Sequence, residues 1–266
     1  MSDRPFGIDV SVYQGFIRWG EIAAHDPPVL FASIRATIAW GYQDKWFPRN
    51  WGEAGIHGIY RAAYHVVYPK QDALQQMDNF YKVASERGEL PRVLDFEVPG
   101  DGMHDPAPAP PEQRAETLWN CSEIVNQRDG MRPIIYSRYA YVNANLKGWT
   151  ADMLNAHFWW LAQYLLLPLG AEKEHPGPPT LPDRVDPQRV IMHQTADKIP
   201  GFGVDSATLD RDRWQGTEDD LRRFVAEFRQ IGLKLRLRAE ANNLREIATR
   251  LDEIADDKGV KDEAQN

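Results

Sequence analysis

Apolar residues recur along the chain in short runs, at residues 6–12, 29–38, 58–67, 92–98, 132–137, 158–164 and 189–194, with a briefer one at 208–210. Runs of this length, rich in Val, Ile, Phe and Tyr, read as strands. The early ones are almost continuously apolar, the pattern of strands buried on both faces. Helical spacing fills the gaps between them. Residues 72–87 place Leu74, Met77, Phe80, Tyr81 and Ala84 on one face. Residues 111–128 do the same with Ala115, Leu118, Trp119, Ser122 and Val125, and Pro111 suits a helix start. Strands alternating with helices predict a parallel sheet, and about eight of them predict a closed α/β barrel. Two proline-rich stretches, residues 99–111 and 170–187, read as loops. Each follows a strand, and the loops after barrel strands are where active sites are built.

From Thr217 onward the pattern changes. Residues 219–233 carry Leu221, Phe224, Val225 and Phe228 at helical spacing, which predicts a helix packed on the body. Residues 234–257 then set Leu237, Leu244 and Leu251 seven apart, with Ile247 and Ile254 three beyond the last two. That is an a/d seam, interrupted by Glu240 at one d position. It fits a surface helix lying on the barrel, and equally a helix that forms a homo-oligomer or docks on a partner. Residues 259–266 read as a frayed tail. The expected division is a barrel over residues 1–216 and a helical extension over residues 217–266.

Composition narrows the function. Of 266 residues, 42% are hydrophobic, and 31 basic against 39 acidic residues give a formal net charge of -8. An acidic balance argues against nucleic acid as a partner, because phosphate binding relies on clustered Lys and Arg. The single cysteine, Cys121, excludes an intrachain disulfide and a Cys-based zinc site. No metal-ligand cluster and no cofactor motif stands out. No apolar run approaches the roughly 18 residues of a membrane span. The first residues, Met-Ser-Asp-Arg-Pro, lead straight into the first strand without the apolar h-region of a secretory signal. The expectation is synthesis in the cytoplasm.

Four carboxylates fall at predicted strand ends: Asp9 in Gly-Ile-Asp-Val-Ser, Asp95 and Glu97 in Leu-Asp-Phe-Glu, and Asp210 in Thr-Leu-Asp-Arg-Asp. Residues i and i+2 of a strand share a face, so Asp95 and Glu97 point the same way and Phe96 the other. An acidic pair aimed into an apolar barrel is costly unless it is paired or functional. Like charges held close also raise one pKa, which a general acid near neutral pH requires. On a surface strand the same Asp-x-Glu would carry no chemistry. His65 and His193 read as structural histidines, Trp119 and Trp149 as packing residues, and Cys121 as an inert helix thiol. Trp159 and Trp160 are adjacent in a strand, so at most one of them can face a cleft.

The stretch Gly7-Ile-Asp-Val-Ser-Val-Tyr-Gln-Gly15, followed by Ile17-x-Trp19, resembles the opening motif of the family 25 glycoside hydrolases, the N-acetylmuramidase lysozymes. Further segments match that family in the same order: Gly58-Ile-Tyr-Arg-Ala-Ala-Tyr-His-Val, Leu90-Pro-Arg-Val-Leu-Asp-Phe-Glu97, Arg132-Pro-Ile-Ile-Tyr-Ser137, Trp160-Leu-Ala-Gln-Tyr164, and Gln194-Thr with Leu209-Asp210-Arg-Asp-Arg-Trp214. The resemblance covers about residues 5–216. It implies a modified TIM-type β/α barrel, irregular in its later part. It also implies hydrolysis, with retention, of the β-1,4 bond between N-acetylmuramic acid and N-acetylglucosamine in bacterial peptidoglycan. Residue by residue, it implies Glu97 as general acid/base and Asp95 as the second carboxylate, with Asp9 and Asp210 lining the same cleft. Asp210, rather than its neighbours Asp205 or Asp212, matches the motif. Tyr64, Tyr136, Trp160, Tyr164 and Gln194 correspond to substrate-binding positions. No cofactor or metal is implied. Attack by the substrate's own acetamido oxygen and a covalent route both fit this residue set. The alternatives are a peptidoglycan-binding module with little turnover, or a hydrolase of another N-acetylated glycan such as chitin. Action on the wall would need delivery through a membrane hole made by a phage holin, or by a specialised secretion machine.

Overall fold

The structure, a computed structural model, describes residues 4–98, 109–164 and 177–263. Residues 1–3, 99–108, 165–176 and 264–266 lie outside the described residues, and with them most of the first proline-rich stretch and the start of the second. Strands β1 (Phe6–Val10), β2 (Val29–Ile38), β4 (Tyr60–Val66), β5 (Val93–Asp95), β6 (Ile134–Ser137), β7 (Phe158–Ala162), β8 (Val190–Pro200) and β9 (Thr208–Trp214) form the wall of a barrel. Each pairs with the next, and β9 closes the ring on β1. A two-residue strand, β3 (Tyr42–Gln43), caps the end of β2.

Around the barrel wall, leaving aside the short antiparallel β3, pairing is parallel from β1 through β8. The last strand corrects the expectation of a uniformly parallel sheet, because β9 is antiparallel to both β8 and β1. The reason is the length of the connection. A parallel return needs a crossover of about a dozen residues or more. Here β8 turns back after Pro200, and Gly201 N donates to Ala207 O at 2.9 Å to close a hairpin. Both strands run beyond the predicted spans, β8 to Pro200 and β9 to Trp214.

Alternation along the strands sorts the core into two shells. Phe31, Tyr64, Val93, Tyr136, Trp160, Met192 and Trp214 fill the barrel interior. Ile8, Ile34, Leu94, Ile135 and Trp159 face outward and pack beneath the helices. Gly7 belongs to the interior set, and a side chain there would meet the Phe31 ring at 2.3 Å. The outer layer comprises α1 (Trp19–Ala23), α2 (Phe47–Ile56), α3 (Ala73–Val83), α4 (Pro111–Asp129), α5 (Tyr139–Asn145) and α6 (Ala151–Asn155). Of these, the spacing predicted α3 and α4. Asp72 caps α3 by accepting from Gln75 N, and Gly130 ends α4 in the left-handed region at φ 66°.

The two helices expected after Thr217 are one, α7 (Glu218–Glu263), which also continues through the stretch read as a tail. Asp220 N donates to Thr217 Oγ1 at 3.2 Å, and Thr217 N donates to Asp220 Oδ2 at 2.8 Å. This reciprocal cap starts the helix. Leu221, Val225 and Phe228 are buried in the interior-side core and against Arg87, so the first turns of α7 share the barrel's packing.

Candidate active site

Parallel strands deliver their last residues to one end of the barrel: Asp9 on β1, Asp95 on β5 with Glu97 just beyond it, and Tyr136 on β6. Because β9 runs the other way, it is its early residues, Thr208 and Asp210, that reach this end. A cleft of about 440 Å³ opens there, and Asp9, Asp95, Glu97, Asp210, Tyr64, Tyr136, Trp160, Tyr164 and Gln194 all line it. The structure thus brings together every residue that the sequence singled out for a site.

Gln194 links three of them. Its Nε2 donates to Asp9 Oδ2 at 2.7 Å and reaches Asp210 Oδ2 at 3.5 Å, while Tyr136 Oη donates to its Oε1 at 2.7 Å. That amide orientation is the one the chemistry demands, since two carboxylates need donors and a phenol needs an acceptor. Burial pushes the Asp9 carboxyl up to about 6, while hydrogen bonds with Gln194 and Asp210 restrain the rise. Burial, then the charges of Asp9 and Asp197, push Asp210 up to about 9. A proton shared by this pair therefore rests on Asp210, and Asp9 carries the charge.

The other pair sits where β5 ends. Val67 N donates to Asp95 O at 3.0 Å, Phe96 N donates to Tyr136 O at 2.9 Å, and Ser137 Oγ donates to Phe96 O at 2.6 Å. These bonds continue the strand's alternation past its last ladder residue, so Phe96 is buried in the outer shell while Asp95 and Glu97 face the cleft. Burial and the charges of Glu97 and Asp9 hold Asp95 well above the usual carboxylate range, against the pull of Arg35. Its Oδ1 is buried without a partner. Glu97 is half-buried, and burial raises it too, opposed by Arg138. Both groups are thereby suited to hold a proton at higher pH than a free carboxyl would.

Aromatic rings wall the cleft. Tyr136 and Trp160 stand 4.5 Å apart between centroids at a 59° tilt. The Arg138 guanidinium lies 4.7 Å over the Tyr164 ring. Trp160 faces the cleft and Trp159 the outer core, as alternation requires. Tyr64 and Tyr136 are core and cleft residues at once, 8% and 6% exposed.

The sequence reading missed several contributors. Arg35, from the middle of β2, lines the cleft and donates from Nε to Asp44 Oδ2 at 3.0 Å. Asp44 in turn accepts from Val12 N and Trp46 N, tying the loops after β1 and β2 together. An arginine inside an otherwise apolar run was the available signal. Tyr13, Tyr68 and Asp197 also line the cleft. Asp212, fully buried, accepts from Trp160 Nε1 at 2.8 Å and so fixes the indole's orientation. Asp205 is elsewhere, bonded to Phe16 N and Arg18 on an exposed loop.

The remaining residues pack as expected. His65 is fully buried between Thr37 Oγ1 (2.7 Å) and Gln76 Oε1 (3.3 Å), and burial lowers it to about 4. His193 bonds the Gln163 carbonyl through Nε2. Trp119 and Trp149 meet edge to face at 5.4 Å. Cys121 is buried, its thiol pushed up to about 12. Among the described residues no group of three or more His, Cys, Asp or Glu is placed to hold a metal ion, and no helix is long and apolar enough to cross a membrane.

Comparison with known proteins gives a consistent set. The model of the glycosyl hydrolases family 25 matches residues 8–182. The uncharacterized protein YegX of Escherichia coli (strain CFT073) is 33% identical over 162 residues, 59% of this chain and 56% of that protein. Lysozyme M1 of Streptomyces globisporus is 28% identical over 165 residues, 58% of this chain and 53% of that protein. The chain's matches thus span a little over half the length of these curated relatives. Among solved structures, a bacterial lysozyme from Streptomyces coelicolor superimposes with a TM-score of 0.70 at 24% identity, covering 86% of this chain and 100% of that one.

Proposed function

The chain belongs to the glycosyl hydrolases of family 25, and from that premise we propose that it is an N-acetylmuramidase acting on bacterial peptidoglycan. The observation that carries this reading is the convergence of two carboxyl pairs, Asp95 with Glu97 and Asp9 with Asp210, in one aromatic-walled cleft. A binding module has no use for four buried or half-buried carboxyls, each of which burial penalises.

In the proposed reaction, protonated Glu97 donates its proton to the glycosidic oxygen as the bond from C1 to that oxygen breaks. Asp95, with one oxygen unpartnered, accepts the N–H of the N-acetyl group and orients it. The acetamido oxygen then closes on C1 from the opposite face. Glu97, now a carboxylate, takes a proton from the water that reopens this ring, and two inversions give net retention. Asp9 contributes negative charge opposite the developing oxocarbenium centre, held in place by Gln194. Tyr64, Tyr136, Trp160 and Tyr164 offer faces and hydroxyls to the sugar rings, which suits an amphipathic saccharide. Action at the wall, after passage through a membrane hole or a secretion machine, completes the proposal.

Replacement Glu97→Gln is the direct test. Release of reducing ends from purified peptidoglycan should fall by at least roughly 10³-fold, while binding to the same material stays within a small factor. Retained turnover in this variant would remove Glu97 from its role. Faster turnover of chitin than of peptidoglycan by the unaltered chain would move the substrate to the other glycan.

A further inference from the structure

Helix α7 leaves the body after Leu235, which packs against Gly130. From Arg236 to Ile254 every described side chain is exposed. Yet Leu233, Leu237, Leu244, Ile247, Leu251 and Ile254 are large apolar residues, each 45–65% exposed. They form one stripe, with leucines seven apart and isoleucines three beyond. The face that holds the helix to the barrel is a different one. Leu221, Phe228 and Leu235, also seven apart, lie about 160° around the helix from Leu237, Leu244 and Leu251. A second helix laid on the stripe therefore clears the barrel. Helices in proteins draw most of their stability from packing an apolar face, and this stripe is left unpacked, so it calls for an occupant.

We propose that the occupant is the same helix of a second copy, packed antiparallel. The residue that decides the orientation is Glu240, which interrupts the stripe. A parallel, in-register pair would stack Glu240 on Glu240 inside the seam, where like charges are most costly. The antiparallel pair that seats Leu237 against Ile254 of the second copy also seats Leu244 against Ile247, and each Glu240 against a Leu251. The two Glu240 side chains are then about 11 residues, or ~16 Å, apart along the axis, beyond the Debye length at physiological salt. The same register sets Ala241 facing Ala248, small residues that allow close approach of the helices. The rest of the surface mixes signs, with Arg238 and Arg245 beside Glu246, Asp252 and Glu253. That favours a water-facing helix pair over a membrane surface, which selects a basic polar face. None of this rests on the cleft or its proposed reaction.

Light scattering of the full chain at about 10 µM should give twice the 30.5 kDa chain mass. The double variant Leu244→Glu/Ile247→Glu should give the single mass with its circular dichroism at the barrel's melting transition unchanged. Orientation is read by two single-cysteine variants, Leu237→Cys and Ile254→Cys, since natural Cys121 is buried. Antiparallel pairing predicts disulfide formation when the two are mixed, and little when either is oxidised alone. Strong self-crosslinking of Leu237→Cys would overturn the orientation. A monomeric unaltered chain would overturn the pairing, as would a monomer that sediments with anionic phospholipid vesicles.

Discussion

Within the cleft, single residues titrate in ways that can be measured. Asp210 has an ordinary value of 3.8 and is pushed to about 9 in the fold. The folded chain holds a proton that the unfolded chain gives up, so stability falls as pH rises from about 4 to about 9 and then levels off. Asp210→Asn removes that dependence and keeps a side-chain amide beside Asp9 and Gln194. The variant should match the parent in thermal stability below about pH 4 and exceed it increasingly up to pH 9, each kcal/mol regained shifting Tm by roughly 2–4 °C. A Tm difference that is flat with pH would show Asp210 to be ionised in the fold. Legibility at this scale was uneven. Carboxylates stand out in sequence because a charge at the end of an apolar run has few structural reasons to be there. Asp212 was harder to see. Its part is to hold the Trp160 indole, and that contact joins β7 to β9, more than fifty positions apart in the chain. Arg35 and Asp44 are likewise a pair closed by tertiary contact, with neither residue implying the other.

Among the elements, α7 makes the sharpest prediction. Its first turns put Phe224 against Trp214 at 5.2 Å and Phe158 at 5.1 Å, and bury Leu221, Val225 and Phe228. Ending the chain after Gly216 would strip those three buried side chains, at about 1.5–3 kcal/mol each. The sum is comparable to the whole stability of a domain, about 5–15 kcal/mol. Ending it after Arg236 removes residues that, through Ile254, are exposed wherever their side chains are described. Denaturant unfolding should show the longer truncation losing several kcal/mol or failing to fold, and the shorter one matching the parent within about 1 kcal/mol. Equal loss in both would mean the exposed half of α7 supports the barrel. Strand positions were readable because continuous apolar runs are diagnostic when both faces are buried. Their ends were not, since β4 begins at Tyr60, two residues after Gly58, and β5 at Val93, one after Arg92. The direction of β9 was hidden for another reason. Alternation looks the same forward and backward, and only the length of the preceding connection distinguishes a hairpin from a crossover. The short helices α1, α5 and α6 have too few turns to establish a 3.6-residue period.

For the molecule as a whole, closure explains why the site exists. Only when β9 returns to β1 do Asp9 and Asp210, from the first and last strands of the barrel, meet on one amide of Gln194. The paired form of α7 would extend that logic to a polymer substrate. In the antiparallel register the two helices emerge from their barrels roughly 30 Å apart, one barrel at each end. A chain gripping an insoluble glycan with one cleft then presents the second at high effective concentration, and avidity can exceed single-site affinity by about 10²-fold or more. A soluble oligosaccharide engages one cleft at a time and gains nothing. Leu244→Glu/Ile247→Glu should therefore weaken retention on sedimented peptidoglycan at least roughly tenfold, with kcat/KM on a soluble muropeptide chain unchanged. Loss on both substrates would place the defect in the barrel. Loss on neither, in a variant shown to be monomeric, would mean that the two clefts of the pair do not reach the same wall.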